Sequence, residues 1–515
     1  MSNSGASGTG DARLGGMSGD GRYVVFSTLA TNIGSGDTNG FEDVFVRDRL
    51  TGETRQISRG VGGAQTNSGS WQSSISYDGR FVVYRSNASN IVSGDTNGAA
   101  DVFVYDMQTG TTELVSVNSS GTIGNGTSHE PTISADGRYV AFQSNATNLI
   151  SGDTNATDDA FVYDRLTRTT QRVSVSSTGA QLALGGSSPF ISGDGERVTF
   201  QTTSAVDGLD TNGALDAAVW SRTSGTAASG SVGVGGTTGN AASTAGRISS
   251  DGNTLMFASA ATNLVSGDTN GVADVFIRNL ITGQTTLVSV ADDETLGNAN
   301  STTSQLSANG RFIAFRSTAT NLVTGDTNAV EDVFVRDTVA GTTTRLTVSP
   351  TGVEANGAST NAALSGDGQY ALIMSAATNL VAGDTNGAVN VFVTRNIGIS
   401  RAVGFSSMIT PFVGVGISTA KQAQMAQSTI DTYLQELNVS VGKLGATVSR
   451  AQAASAVVQN RAENLIDAAS RILDADVAEE SSALVARRVR QQSAQQVLAL
   501  ANNDLQLAKT FLGIA

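Results

Sequence analysis

Carboxylate and amide side chains recur at fixed spacing in a polar loop that the sequence contains seven times. Each loop carries Asp-x-Asn-x-x-x-Asp, except that Asn390 replaces the last Asp in the seventh copy. Ca²⁺ prefers roughly six to eight hard oxygen ligands, and alternating Asp and Asn side chains beside a glycine turn supply some of them. The candidate metal ligands are Asp37, Asn39, Asp43, Asp95, Asn97, Asp101, Asp153, Asn155, Asp159, Asp210, Asn212, Asp216, Asp268, Asn270, Asp274, Asp326, Asn328 and Asp332.

The same loop has a second interpretation in which no metal takes part. The first Asp then caps the turn, the Asn takes a left-handed backbone position, and the last Asp begins the next strand. Only the first two positions match an EF-hand loop, and no bidentate Glu follows at its last position. Turn chemistry is therefore the favoured prediction, and calcium is the only cofactor that these residues suggest.

Other catalytic chemistries find little support in the composition. The chain contains no cysteine and one histidine, His129, so thiolate sites and zinc sites built from several imidazoles are excluded. It has no Gly-x-Ser-x-Gly elbow before a helix and no phosphate loop. A carboxylate-based propeller enzyme remains a minor alternative, and the prediction is that the protein is not an enzyme.

The net charge of −14 lies entirely in the first 403 residues, because residues 404–515 hold nine basic and nine acidic side chains. This acidic balance argues against nucleic acid as a partner. The N-terminal sequence lacks the apolar segment of a secretory signal, and no apolar stretch is long enough for a membrane span. We expect any export to use no cleaved signal peptide.

A marker, Ser-x-Asp/Asn-Gly, divides the first part of the chain into seven repeats of 57 or 58 residues. Three runs with period-two alternation follow each marker, and a weaker strand precedes the next one, as at residues 71–75. The markers begin at Ser18, Ser76, Ser134, Ser192, Ser249, Ser307 and Ser365. Four strands in each of seven repeats predict an all-β, seven-bladed propeller, because one sheet cannot bury both of its faces alone.

These repeats resemble the WD40-like blades of the TolB family, although the Ser-Pro-Asp-Gly marker of that family lacks its proline here. The resemblance covers residues 11–403 and implies a fold rather than a function, since such propellers serve many binding roles. Residues 1–10 are expected to be a flexible N-terminus, and residues 404–416 a linker.

The last part of the chain has a different pattern. From Ala446 to Leu512 it contains neither Gly nor Pro, and apolar residues recur at steps of three and four, which predicts long helices with one apolar stripe each. Such stripes favour partner helices over a self-contained helical hairpin. The candidate assembly residues are Leu444, Val448, Val458, Leu465, Ile466, Leu473, Leu484, Val485, Val489, Val497, Leu498, Leu505 and Leu512.

Residues 417–515 resemble the C-terminal region of bacterial flagellin. The similarity rests on Ala426-Gln-Ser-Thr-Ile-Asp431, Ser470-Arg-Ile-Leu-Asp-Ala-Asp476 and the apolar end Leu512-Gly-Ile-Ala515. It implies an all-α, coiled-coil helical domain in the filament core, with the propeller in place of the outward-facing variable domain. Hook–filament junction proteins share parts of the pattern, so filament and junction subunits both remain open.

The resemblance implies an extracellular subunit of the bacterial flagellum. Its expected partners are other flagellin subunits, including a source of the N-terminal helices that flagellins have and the printed sequence lacks, and a flagellar export chaperone. The alternative is a TolB-like binding module with calcium-stabilised loops that acts in protein–protein or surface interactions.

Overall fold

The computed structural model describes residues 7–34, 36–396, 488–493 and 495. The chain divides into two units between Ala402 and Val403. In the described part of the first unit, 27 strands form seven antiparallel sheets, each with its strands in chain order. These sheets are blades 1 to 7, and the predicted seven-bladed, all-β propeller is confirmed.

Blade 1 contains β1 Ala12–Met17, β2 Tyr23–Thr28, β3 Asp43–Asp48 and β4 Thr54–Gln56; blade 2 contains β5 Ser70–Ile75, β6 Phe81–Ser86, β7 Asp101–Asp106 and β8 Thr111–Leu114. Blade 3 contains β9 Ser128–Ile133, β10 Tyr139–Ser144, β11 Asp159–Asp164 and β12 Thr169–Arg172; blade 4 contains β13 Ser187–Ile191, β14 Arg197–Thr202, β15 Asp216–Ser221 and β16 Thr226–Ser229. Blade 5 contains β17 Ser243–Ile248, β18 Thr254–Ser259, β19 Asp274–Asn279 and β20 Thr285–Leu287; blade 6 contains β21 Ser301–Leu306, β22 Phe312–Ser317, β23 Asp332–Asp337 and β24 Thr342–Arg345. Blade 7 contains β25 Ser359–Leu364, β26 Tyr370–Ser375 and β27 Asn390–Arg395.

The weaker strand before each marker is the first strand of a blade, and the marker is the turn between the first and the second strand of that blade. The first strands of neighbouring blades contact one another around the ring, so they are the innermost strands. The apolar core lies between blades, because the second and third strands bury side chains on both faces. Val46 of blade 1, for example, shares a cluster with Val82 and Tyr84 of blade 2, and Tyr84 stacks on Phe103 with ring centroids 5.8 Å apart.

The marker is a turn held by its own side chains. In blade 2 the Ser76 hydroxyl donates to Asp78 Oδ1 at 2.5 Å, and the same carboxylate oxygen accepts the N–H of Arg80 at 3.0 Å. The glycine of the marker has a positive φ and also a packing role. A Cβ on Gly137 (φ +71°) would lie 2.1 Å from the Phe81 ring of the preceding blade. Only glycine satisfies both constraints.

The seven markers are linked to one another by a closed belt of backbone hydrogen bonds. In each marker a backbone N–H group at the second position of Ser-x-Asp/Asn-Gly, or in blade 4 at the third, donates a hydrogen bond. The acceptor is the carbonyl of the second position in the marker of the next blade, at 2.8–3.1 Å. The belt runs from Gly19 to Tyr77, from Tyr77 to Ala135, from Ala135 to Gly193, from Asp194 to Ser250, from Ser250 to Ala308, from Ala308 to Gly366 and from Gly366 back to Gly19. The donor shifts by one residue in blade 4, which precedes the single 57-residue step.

Blade 1 and blade 7 meet where the ring closes, and among the described residues no strand is shared by the two ends of the propeller. All four strands of blade 1 come from one continuous segment, and blade 7 has three strands among the described residues. The N–H of Ala12 donates to the carbonyl of Val389 at 2.8 Å, and the Asn386 amide donates to the carbonyl of Gly8 at 3.0 Å. Closure therefore rests on inter-blade contacts and on the belt.

Forked arginine–aspartate pairs join the second and third strands of four blades. In blade 2, Arg80 Nε donates to Asp106 Oδ1 at 3.1 Å, and Nη2 donates to Oδ2 at 2.7 Å. The Arg80 guanidinium holds the pKa of Asp106 down at about 2. Equivalent pairs are Arg22–Asp48, Arg138–Asp164 and Arg311–Asp337.

Replacing Arg80 by Gln should destabilise the propeller in a pH-dependent way. The native pKa of Asp106, about 2, lies below the unfolded value of about 3.9. The pair therefore contributes stability above about pH 4 that disappears as the pH falls towards 2. Urea unfolding should show an Arg80→Gln deficit at pH 7 that shrinks by pH 2. A deficit of equal size at both pH values would contradict this account, and the double variant Arg80→Gln/Asp106→Asn should lose the pH dependence assigned to the pair.

Candidate functional site

The last Asp of each loop is the centre of a buried hydrogen-bond network. In blade 2, Asp101 is fully buried, its Oδ1 accepts the Ser116 hydroxyl at 2.6 Å, and its Oδ2 accepts the Asn97 amide at 2.8 Å. The Ser116 hydroxyl oxygen in turn accepts the N–H of Val102 at 3.1 Å. This network ties the loop to the segment just after the fourth strand, which ends at Leu114, so the last Asp has a structural role.

The Asn of the loop fastens it to the connection that follows the fourth strand. The Asn97 amide donates to the carbonyl of Gly124 at 2.9 Å, and its oxygen accepts the N–H of Ala99 at 2.9 Å. The expected left-handed conformation at the Asn is wrong, because the next residue adopts it instead. Gly98 has a φ of +67°, and Ala156 takes a φ of +54° in blade 3.

The structure brings the first and last Asp of each loop to one place in the blade, but the first Asp has different partners in different blades. In blade 3, Arg172 Nη1 lies 3.4 Å from Asp153 Oδ1 and 3.1 Å from Asp159 Oδ2. In blade 6, Arg345 Nη1 lies 3.3 Å from Asp326 Oδ1. A guanidinium thus joins the two carboxylates in these two blades.

In blades 4 and 7 the first Asp of the loop accepts hydrogen bonds from N–H groups instead of pairing with a guanidinium. In blade 7 the last position is Asn390, whose amide donates to both carboxylate oxygens of Asp384 at 3.2 and 3.1 Å. In blade 4, Asp210 Oδ1 accepts the N–H of Asn212 at 3.2 Å.

In blades 1, 2 and 5 the first Asp is buried without a partner for at least one oxygen. No hydrogen bond of ordinary geometry reaches either carboxylate oxygen of Asp37 or the Oδ1 atoms of Asp95 and Asp268. Burial raises the pKa of all three groups, and the neighbouring Asp43 carboxylate raises that of Asp37 further. The backbone N–H of the Asn two residues on lowers the pKa of each group, and the charge of Arg59 also lowers that of Asp37. Burial also raises the pKa of Asp101 to about 6. Among the described residues, no group of three or more His, Cys, Asp or Glu side chains is arranged to hold a metal ion.

A second candidate site lies where the innermost strands surround the propeller axis. The cavity there has a volume of about 550 Å³ and is lined by all seven blades. The Arg247 guanidinium packs on the Phe190 ring at 4.6 Å, and its Nε donates to the carbonyl of Ser304. The hydroxyls of Ser73 and Ser304 accept and donate no hydrogen bond within the described residues.

Sequence reasoning did not single out Arg172, Arg345 or Arg247. A position-by-position alignment of the repeats would have shown the first two, because arginine replaces Leu, Gln or Ser at that strand position in other blades. Arg247 carries no such signal, since the innermost strands vary from blade to blade. His129 lies on β9 with Nε2 3.9 Å from Asp158, so this solitary histidine belongs to a strand rather than to a catalytic cluster.

Of the predicted assembly residues, only Val489 falls within the described residues. It lies in the α-helical segment 488–493, inside the stretch from Ala446 to Leu512 for which the sequence predicts long helices, and its side chain is exposed. The other assembly residues lie outside the described residues. Within the part of the chain that the structure describes, no helix is long and apolar enough to cross a membrane.

Comparison with known proteins identifies the C-terminal part. Residues 427–511 match the family model of the bacterial flagellin C-terminal helical region. Flagellin E of Vibrio cholerae is 41% identical over 88 residues, which cover 17% of this chain and 23% of that protein. B-type flagellin of Pseudomonas aeruginosa is 39% identical over 88 residues, covering 17% of this chain and 18% of that one. The predicted flagellin resemblance is confirmed, and the chain spans about a quarter or less of the length of these two relatives.

Solved structures similar to the chain share little sequence identity with it. An oligogalacturonate lyase in complex with manganese aligns with a TM-score of 0.46 at 11% identity, covering 75% of this chain and 90% of that one. The β-propeller domain of the Trilobed protease from Pyrococcus furiosus has a TM-score of 0.45 at 9% identity, with 74% and 95% covered. TolB from Acinetobacter baumannii has a TM-score of 0.34 at 15% identity, with 65% and 62% covered.

Replacing Ser116 by Ala should destabilise blade 2 by about 1–3 kcal/mol, because Asp101 Oδ1 and the N–H of Val102 would both lose a partner in a buried site. Chemical denaturation measures the change. The matched control is Ser120→Ala, whose hydroxyl donates to Asn118 at an exposed turn, and it should change stability by no more than about 0.5 kcal/mol. Equal effects of the two substitutions would contradict the structural role of the network.

Proposed function

We propose that the protein is a structural subunit of a bacterial flagellar filament. Its C-terminal helices pack in the filament core, and its propeller projects outward as the surface domain. The match of residues 427–511 to the flagellin C-terminal helical region carries this proposal. The role is assembly rather than catalysis, and the site of action is the extracellular flagellum.

The physical support comes from the apolar stripes of the tail. The helix predicted from Ala446 to Leu473 alone presents several large apolar side chains on or beside one stripe, namely Val448, Val458, Leu465, Ile466 and Leu473. Burying a large apolar side chain contributes about 1.5–3 kcal/mol, so several such residues left in water would forgo on the order of 10 kcal/mol. Helices of neighbouring flagellin subunits are the proposed partners that cover the stripe.

The propeller suits a displayed domain because its ring is complete in itself. The belt and the contacts between blade 1 and blade 7 close the ring within residues 8–389. Because these contacts join the two end blades within one chain, the domain can be carried on a filament without altering the core. We further propose export without a cleaved signal peptide, assisted by a flagellar export chaperone.

A free-standing TolB-like binding module is not favoured, because it leaves the flagellin C-terminal region without a role. The axial cavity supports a binding function for the propeller only as an addition to filament assembly. The lyase among the similar solved structures resembles the chain too weakly to argue for an enzyme.

The proposal predicts that the full chain co-assembles with flagellin from the same organism. Seeded polymerisation followed by sedimentation should recover the protein in filaments. Val458→Asp should lower that recovery at least ~10-fold, because a carboxylate without a partner in a helix interface costs several kcal/mol.

Asn460→Asp is the matched control, since it adds the same charge on the opposite side of the predicted helix, and it should assemble nearly as the unaltered chain does. Failure of the unaltered chain to enter filaments, or equal recovery of Val458→Asp and Asn460→Asp, would contradict the proposal. Labelled protein distributed along filaments indicates a filament subunit, whereas label confined to the hook-proximal end indicates a junction protein.

A further inference from the structure

The seven copies of the acidic loop act as an internal comparison, because one backbone arrangement meets several different surroundings. Where a guanidinium is present, it joins the two carboxylates, as Arg172 does for Asp153 and Asp159. Where the last Asp is replaced, the Asn390 amide satisfies Asp384. Each of these blades supplies positive charge or an N–H donor to the first Asp from its own side chains.

Blades 1, 2 and 5 have no arginine at the equivalent strand position. Arg172 pairs with Phe161 across β11 and β12, and Arg345 pairs with Phe334 in blade 6. In blades 1, 2 and 5 the position of the arginine is taken by Gln56, Leu114 and Leu287. These residues pair across the strands with Phe45, Phe103 and Phe276, respectively. None of these three side chains carries a positive charge.

In the same three blades the first Asp of the loop has buried carboxylate oxygens without a hydrogen bond of ordinary geometry. Asp37 is 4% exposed, and Asp95 and Asp268 are each 7% exposed. An unpaired carboxylate at such depth costs several kcal/mol unless a cation or donor compensates it. The arginine-bearing blades show where a positive charge fits, namely between the first and the last Asp of the loop.

Blade 1 offers additional oxygen donors at this place. In blade 3 the side chains of Arg172 and Gln181 both contact Asp153. The residues at the same repeat positions in blade 1 are Gln56 and Gln65. The Oε1 atoms of Gln56 and Gln65 are buried and accept no hydrogen bond. In blade 1 two carboxylates and two amide oxygens therefore surround the place that a guanidinium fills elsewhere, while the charge of Arg59 also acts on Asp37.

We propose that blades 1, 2 and 5 each bind one Ca²⁺ ion between the first and the last Asp of the loop. The carboxylate pairs are Asp37 with Asp43, Asp95 with Asp101 and Asp268 with Asp274. Gln56 and Gln65 complete the oxygen set in blade 1, whereas water completes it in blades 2 and 5, where calcium tolerates an irregular coordination shell. Blades 3 and 6 take no metal, because Arg172 and Arg345 occupy the place. Blade 4 is excluded because Asp210, unlike the first Asp of blades 1, 2 and 5, has no buried carboxylate oxygen without a hydrogen bond. The six equivalent sites considered from the sequence therefore reduce to three.

Calcium titration of the full chain, freed of metal by a chelator, tests this proposal by calorimetry and thermal melting. The expected result is one calcium for each of the three loops and a melting temperature that rises with CaCl₂ and falls again with chelator. The triple variant Asp37→Asn, Asp95→Asn, Asp268→Asn should lower the affinity at least ~10-fold, because each site loses one negative ligand. Without calcium the same variant should melt no lower than the unaltered chain, since it removes a buried unpaired charge. If these carboxylates had a purely structural role, the triple variant would melt at a lower temperature than the unaltered chain both with and without calcium.

Two further variants sharpen the test. Asp153→Asn with Asp326→Asn is the matched control in blades 3 and 6, and it should leave calcium stoichiometry unchanged. Leu114→Arg with Leu287→Arg introduces the guanidinium of those blades into blades 2 and 5, and it should remove two sites while circular dichroism shows a retained fold.

No calcium heat and no shift in melting temperature for the unaltered chain would overturn the proposal. An unchanged calcium response in the triple variant would do so as well, because the ion would then bind elsewhere. Equal affinity for MgCl₂ would overturn the assignment to calcium. These outcomes are independent of filament assembly, so they leave the proposed function untouched.

Discussion

The propeller depends on one constraint, which is that seven blades must close on themselves without a shared strand. The belt of marker-turn hydrogen bonds meets this constraint, since each turn donates to the next and Gly366 donates back to Gly19 at 2.9 Å. The marker glycine makes the approach of neighbouring blades possible, as Gly137 does against the Phe81 ring. Each blade thereby buries its two apolar faces against its neighbours, which an isolated four-stranded sheet cannot do.

The acidic loop builds on that ring. Its last Asp serves the fold through hydrogen bonds such as those of Asp101 with Ser116 and Asn97, and this role is the same whether or not a metal binds. Its first Asp is the variable element, because its compensation differs from blade to blade. A repeated motif can therefore be structural at one position and a candidate ligand site at another.

Much of the propeller was predictable because repetition exposes it. The marker spacing predicted seven blades, and the run Asp101–Asp106 is a strand with those bounds. The innermost strands gave a weak signal because each carries a β-bulge beside the axial cavity, which interrupts their alternation. Ring closure was not predictable, since it joins turns 347 positions apart. The left-handed backbone conformation was expected at the Asn of the loop, such as Asn97, whereas Gly98 adopts it. The residues that compensate the first Asp are distant in sequence, as Arg172 is from Asp153, so the loop motif alone did not indicate them.

Hydrogen exchange at single amides tests the closed belt most directly. The N–H groups of Gly366 and Gly19, which join blade 7 to blade 1 and blade 1 to blade 2, should be as strongly protected as those of Ala135 and Ala308 within the ring. Rapid exchange at Gly366, with Ala135 and Ala308 still protected, would show that the two end blades do not meet and would contradict a closed propeller.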